Sequence, residues 1–237
     1  WRRVASLRPF RLPGGAAAAR EPRRSALGLL HAAFGEEAFA MTDLPPVAAF
    51  SPGDRKVLKA VLDRGVNAPL TSSIGRLFDA FASLCTLRQQ ASYEGQAAAE
   101  LEAHAGPTGR PAGRYAFPIR DSGHDACPWV MDWLPTLTAA IDDLRGGAGP
   151  DTVSAALHDG LAAAIVDVAR LIGEPRVVLT GGCFQNVRLT ETTVLALRSA
   201  GFTPIWHERI PPNDGGLAFG QAVWAGWTQV IGESSCA

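Results

Sequence analysis

The last third of the sequence constrains the fold most, because short β-branched runs, glycine turns and amphipathic segments alternate there without interruption. Arg176–Thr180 (RVVLT) reads as a strand ending in Gly181-Gly182, and a helix is expected from about Asn186 to Ala200, stopped by Gly201. Thr203–His207 reads as the next strand, and Asp214-Gly215-Gly216 opens a final helix reaching about Trp227. Strand, glycine turn, helix, strand, loop, helix is the order of an α/β layer with buried parallel strands. The expected fold class is therefore α/β.

Upstream the pattern is mainly helical. Trp1–Leu12 alternates like a strand, and Pro13–Pro22 carries the punctuation of a surface loop. Arg23–Glu37, Pro52–Arg64 behind a Ser51 cap, Ile74–Leu84 and about Gly95–Ala103 then read as helices. A loop with Gly106, Pro107, Gly109, Pro111 and Gly113 closes this group. Arg114–Arg120 and Pro128–Asp132 follow as expected strands, and Leu134–Leu144 and Thr152–Ile172 as helices. The chain thus divides into a mainly helical part, 1–113, and an α/β part, 114–237, within one continuous domain fragment. An opening at Trp1 without methionine or leader is what a chain cut from a longer protein would show.

Charge narrows the function classes. The 22 lysines and arginines nearly balance the 23 aspartates and glutamates, so no global field draws the chain to nucleic acid or to an anionic membrane. An anionic ligand would have to be held locally. The four cysteines, Cys85, Cys127, Cys183 and Cys236, form no Cys-x-x-Cys pair, which argues against a zinc knuckle or a disulfide framework and fits a reducing cytoplasm. No apolar run approaches the ~20 residues that span a bilayer, and no signal-peptide core follows Trp1-Arg2-Arg3.

Two loops could carry chemistry. Ligands of open α/β sheets collect at the C-terminal ends of strands, where helix N-termini present N–H groups and a positive dipole end. Gly181 and Gly182 sit at such a place, allowing close backbone approach, and Asn186 beyond them could donate to and accept from a sugar or base. A tight strand-to-helix turn explains the same glycines without any ligand. Asn213-Asp214-Gly215-Gly216 is the second loop, and Asp214 there is either a helix cap or a metal ligand. Two glycine-bearing junctions this close in sequence could line one cleft.

Four ordered stretches carry a family resemblance. VVLTGGCFQNVRLTE (Val177–Glu191) and GFTPIWHERIPPNDGGLAFGQAVWA (Gly201–Ala225) are similar to the closing segment of HypF carbamoyltransferases, which prepare the cyanide ligands of [NiFe]-hydrogenases. APLTSSIGRLFDAFASL (Ala68–Leu84) and SYEGQAAAELEAHA (Ser92–Ala105) resemble two further motifs of that family, in the same order. The resemblance implies the second RNase H-like half of an actin-like ATPase superfamily (ASKHA) domain, with additional helices and a nucleotide in the cleft between the halves. It implies an ATP-derived carbamoyl-adenylate as ligand, a HypE-type acceptor protein whose C-terminal cysteine receives the carbamoyl group, and the remaining N-terminal domains of the same enzyme as partners.

Residue by residue, Asp79 matches the acidic position of the family's Gly-x-x-Phe-Asp motif, which faces ribose hydroxyls, and Glu94 is a second candidate for the nucleoside. Asp214 matches the aspartate that holds a divalent metal beside the phosphate, with iron, zinc and magnesium all chemically reasonable. The five histidines, His31, His104, His124, His158 and His207, are isolated, so the family's histidine cluster has no counterpart and the chain is not expected to hold a complete metal site. Each candidate has a structural alternative. Asp79 could pair with Arg76 three residues earlier, Thr71, Ser72 and Ser73 could cap the helix that follows, and Cys183 could be a small buried filler. Trp129, Trp133, Trp224 and Trp227 read as core or interface anchors. An antibiotic O-carbamoyltransferase, a tRNA threonylcarbamoyl transferase and a non-catalytic docking fragment are the competing readings, and no catalytic residue is singled out.

Overall fold

The computed structural model describes residues 2–108 and 115–234, and from 229 onward only the helical backbone. Trp1, positions 109–114 of the glycine-proline loop, with Arg114, and Cys236 lie outside the described residues. The architecture is α/β with additional helices, as the sequence implies.

The expected opening strand breaks at Arg8-Pro9, because proline has no N–H to give to a ladder. Its halves enter different sheets. β1 (Ala5–Leu7) pairs in parallel with β5 (Trp129–Met131), Ala5 opposite Trp129, and β5 pairs antiparallel with β4 (Ile119–Asp121). β2 (Phe10–Arg11) instead pairs antiparallel with β3 (Leu70–Thr71). The expected Pro13–Pro22 loop contains a short helix, α1 (Ala17–Arg20). The next helix, α2 (Pro22–Phe34), begins one residue early, with proline at its first turn, where a missing N–H costs nothing. It gives way to a 3-10 turn at Gly35–Ala40 and to α3 (Pro45–Ala48).

Capping explains the next boundaries. In α4 (Pro52–Arg64) the Ser51 hydroxyl accepts from the Asp54 amide while the Asp54 carboxylate accepts from the Ser51 amide, a reciprocal box. α5 (Ile74–Leu84) is capped by Ser73, and Thr71 Oγ1 accepts from the Ser73 amide, so these hydroxyls serve the helix start. α6 (Gln96–Ala105) follows Gly95. α7 (Leu134–Arg145) and α8 (Pro150–Ile172) complete the helical group, the latter again opening on proline and stopped by left-handed Gly173.

These helices enclose the main core. Leu27, Leu29 and Leu30 of α2 meet Leu77, Phe81 and Leu84 of α5, and Phe10 packs edge-on to the fully buried Trp133 at 6.0 Å. Gly28 lets α2 lie on the chain at β2, since a Cβ there would stand 1.9 Å from the Arg11 carbonyl oxygen.

The last third gives β6 (Arg176–Leu179), a 3-10 turn at Gly182–Gln185, α9 (Val187–Ser199), β7 (Thr203–Trp206), a 3-10 turn at Asp214–Gly216 and α10 (Leu217–Ser234). β6 and β7 are parallel, with Arg176 opposite Thr203, as expected. They are not buried on both faces. Leu179 packs with Val166, Ala169, Val194 and Leu197 in a second core, while Val178 and Ile205 are 60% and 44% exposed on the other face. The expected strand at Arg114–Arg120 also differs. Tyr115 and Phe117 are buried there, the Tyr115 amide donates to the Ala156 carbonyl, and the Ala116 carbonyl accepts from Thr136 Oγ1. The backbone of this stretch is satisfied by helices, and ladder pairing begins only at Ile119.

Candidate functional site

The start of α5, the turn into α6, the Gly-Gly turn after β6 and the Asn213-Asp214 loop surround one cleft of about 780 Å³. Asp79, Glu94, Gly182, Asn186 and Asp214 all line it. Gly181 lines an adjoining hollow of about 530 Å³ that shares Gly182, Asn213 and Asp214 with the first and is bounded beyond by His207 and Trp224. Residues far apart in sequence are thus brought to one place.

Asp79 is 3% exposed, and its Oδ2 lies 2.9 Å from Arg76 Nη1. Proximity is not alignment here: neither atom has a hydrogen-bond partner of good geometry among the described residues. Burial dominates the carboxyl and raises it to about 6. The Arg76 guanidinium opposes that shift, and Glu94 adds to it. Asp79 is therefore both paired with Arg76, the structural alternative read from the sequence, and on the cleft wall with hydrogen-bonding capacity left over.

The Gly-Gly turn differs from the expected helix-dipole arrangement. Asn186 caps α9, its Oδ1 accepting from the Leu189 amide at 2.7 Å. The Val187 and Arg188 amides donate to Glu102 Oε1 at 2.6 and 3.3 Å, so a carboxylate from α6 already occupies the positive end of α9. The N–H groups expected for a ligand are taken, and what faces the cleft is the 3-10 turn itself. Gly181 has φ +100° and ψ 156°, a conformation open essentially to glycine alone, and its amide donates to the Pro212 carbonyl, tying the two glycine loops together. Gly182 has no such requirement, and a Cβ on it would meet nothing closer than Asn213 Cβ at 3.9 Å.

Asp214 is exposed at the start of its 3-10 turn, while Asn213 Oδ1 caps that turn through the Gly215 amide. A resident metal needs several converging ligands, and among the described residues no three His, Cys, Asp or Glu side chains converge. The described residues do not by themselves make a metal site. His31 meets Asp63, His104 meets Asp151, and His207 Nε2 lies 3.0 Å from Thr180 Oγ1. Cys183 is on the cleft wall, and burial pushes its thiol up, against the Gly75 amide and Arg76, a setting for a filler rather than a nucleophile. Trp133 is core, but Trp224 and Trp227 are 62% and 53% exposed on α10, their rings 5.2 Å apart.

Glu102 on the cleft wall and His158, buried behind Asn186, were not singled out as site residues from the sequence. Glu102 falls within the Ser92–Ala105 stretch and His158 stands alone in the sequence, and the roles of both come from helix packing that no local pattern records.

Residues 1–221 match the family described as "Carbamoyltransferase, Kae1-like Domain, second subdomain". The chain belongs to this HypF carbamoyltransferase family. It is 35% identical over 233 residues to carbamoyltransferase HypF of Synechocystis sp., covering 93% of this chain and 30% of that one. With carbamoyltransferase HypF of Rhodobacter capsulatus it shares 41% over 236 residues, 94% of this chain and 28% of the relative. A crystal structure of full-length HypF in the phosphate- and nucleotide-bound form superposes with a TM-score of 0.81 at 32% identity, over 94% of this chain and 28% of that one. HypF of T. kodakarensis shares the fold, with a TM-score of 0.78 at 24% identity, over 94% of this chain and 29% of that one. The chain spans about three tenths of the length of these relatives. Among the described residues no helix is long and apolar enough to cross a membrane.

Proposed function

We propose that this chain supplies one wall of a carbamoyltransferase cleft that binds the AMP portion of carbamoyl-adenylate. The observation that carries the reading is the convergence of Asp79, Glu94, Gly182, Asn186 and Asp214 on a single cleft of nucleoside size. Its charge supports a nucleoside over a bare phosphate. Asp79, Glu94, Glu102 and Asp214 face it with Arg76 as the one cationic side chain among its described lining residues. Carboxylates accept sugar hydroxyls well and repel phosphate.

In this reading Asp79 accepts the ribose hydroxyls and the Gly181-Gly182 turn lets the backbone approach the nucleoside. The group transferred is a carbamoyl, and the acceptor is the C-terminal cysteine thiolate of a HypE-type protein. The S–C bond forms as the C–O bond to phosphate breaks, and AMP leaves with the electron pair. This chain holds the leaving group, and the neighbouring domains of the complete enzyme bring the acceptor and ATP. Asp214 joins a divalent metal only together with ligands from those domains. The family resemblance implies a thiol acceptor in place of an antibiotic hydroxyl or a tRNA, and a cytoplasmic setting would suit a free thiolate.

Calorimetric titration with AMP tests the reading. Heat of binding that is lost in Asp79→Ala supports it, and absence of nucleotide heat in the folded wild type overturns it in favour of a docking role. The exposed Leu217, Phe219, Val223, Trp224 and Trp227 of α10 favour such a protein-contact role as the second reading.

A further inference from the structure

A hydrogen-bonded chain runs from the middle of α8 to the floor of the cleft. Ser154 and His158 are both wholly buried, one helical turn apart. The Ser154 carbonyl stands 2.7 Å from His158 Nδ1. A carbonyl oxygen only accepts, so Nδ1 carries the proton and Nε2 is left with its lone pair. Asn186 Nδ2 donates to that Nε2 at 2.9 Å, while Asn186 Oδ1 accepts from the Leu189 amide. The Phe78 ring of α5 lies against the imidazole at 5.1 Å between centroids, and Ser154 Oγ donates to the Leu101 carbonyl of α6 at 2.5 Å. Four helices, α5, α6, α8 and α9, therefore meet around one imidazole.

We propose that His158 is a positioning residue for the cleft: as a neutral imidazole protonated on Nδ1, it fixes the direction of the Asn186 amide and with it the course of the Gly181–Asn186 turn. The two ends of an asparagine amide are nearly the same shape and opposite in hydrogen-bonding sense. A flipped Asn186 would set its nitrogen against the Leu189 N–H and its oxygen against the His158 lone pair, so both contacts would become repulsive. The observed direction satisfies both. It also leaves the second Nδ2 hydrogen without a protein partner among the described residues, at a residue that lines the cleft. Burial, assisted by the nearby Arg188 guanidinium and opposed by the Ser154 carbonyl, lowers the imidazole to about 4, which keeps the accepting lone pair through the neutral range. The identity of the ligand rests on the nucleotide reading above; the geometry of the turn does not.

The test compares His158→Leu, which fills the volume without an acceptor, with His158→Gln, whose amide oxygen can take the place of Nε2. Amide and side-chain nitrogen spectra of Gly181, Gly182, Asn186 and Leu189 report the turn, and titration with AMP reports binding. His158→Leu is expected to displace those resonances and weaken AMP roughly tenfold, the scale of one lost buried hydrogen bond. His158→Gln should keep the resonances near their wild-type positions and retain AMP binding. Wild-type resonances or wild-type affinity in a folded His158→Leu, or equal disturbance by both variants, overturns the proposal. If the wild type binds no AMP, the nucleotide reading falls and the spectra alone decide the role of His158. Should His158→Leu not fold, the imidazole nitrogen spectrum of the wild type decides, and a proton on Nε2 overturns the proposal.

Discussion

Arg76 and Asp79 stand one turn apart on α5, with Nη1 and Oδ2 separated by 2.9 Å, yet the carboxyl is raised to about 6 because burial outweighs the guanidinium. The pair is close without being well bonded, so Asp79 keeps unused acceptor capacity, which the proposed ribose contact would use.

Binding should therefore depend on pH in a stated direction. An ionised carboxylate accepts hydroxyl hydrogen bonds more strongly than the protonated acid, so affinity for adenosine, which lacks a titrating phosphate, should rise as pH passes upward through about 6. Asp79→Ala should lose roughly 1.5–3 kcal/mol of that affinity at neutral pH and flatten the pH dependence. Deoxyadenosine is the control, and equal binding of the two nucleosides would remove Asp79 from the ribose. For folding, a carboxyl raised from 3.8 to about 6 contributes stability fully below about pH 4 and loses it as pH rises through 6.

The two neighbouring glycines should separate by experiment. Gly182→Val puts two methyl groups toward the cleft from an unstrained backbone, so denaturation should be near normal while AMP binding falls sharply. Gly181→Ala forces a side chain onto φ +100° and should cost roughly 1–3 kcal/mol of stability in urea unfolding.

Glu102→Ala removes the carboxylate that caps α9 from α6. A loss of about 0.5–2 kcal/mol in chemical denaturation is expected, as for other helix caps. Glu102→Gln should recover part of it through its amide oxygen.

Zinc, magnesium or ferrous iron should leave the thermal midpoint of this chain unchanged, because a lone exposed Asp214 gives a weak, exchangeable contact. A midpoint that climbs with metal concentration, and no longer does so in Asp214→Ala, would reveal converging ligands.

Helix boundaries were legible where a cap is written locally, as with Ser51, Ser73 and Asn186. The parallel pairing of β6 and β7 followed from their glycine turns. What local pattern could not show was decided at long range. Tyr115 to Phe117 has a strand's composition, but its backbone is claimed by Ala156 and Thr136. The gathering of Asp79, Glu94, Gly182, Asn186 and Asp214 rests on helix packing, whose agents, Glu102 and His158, look like an ordinary surface acid and an isolated histidine in the sequence.

The one-sided β6–β7 sheet has a further consequence for colloidal behaviour. A short parallel ribbon that shows Val178 and Ile205 to water, together with a helix that shows two indoles, leaves apolar area and, among the described residues, unpaired strand edge on the same chain. With a formal charge of only −1 there is little mutual repulsion to keep copies apart. Clustering should therefore grow with protein concentration and with added salting-out anions such as sulfate, and light scattering will register it well before the cores of the molecule begin to melt.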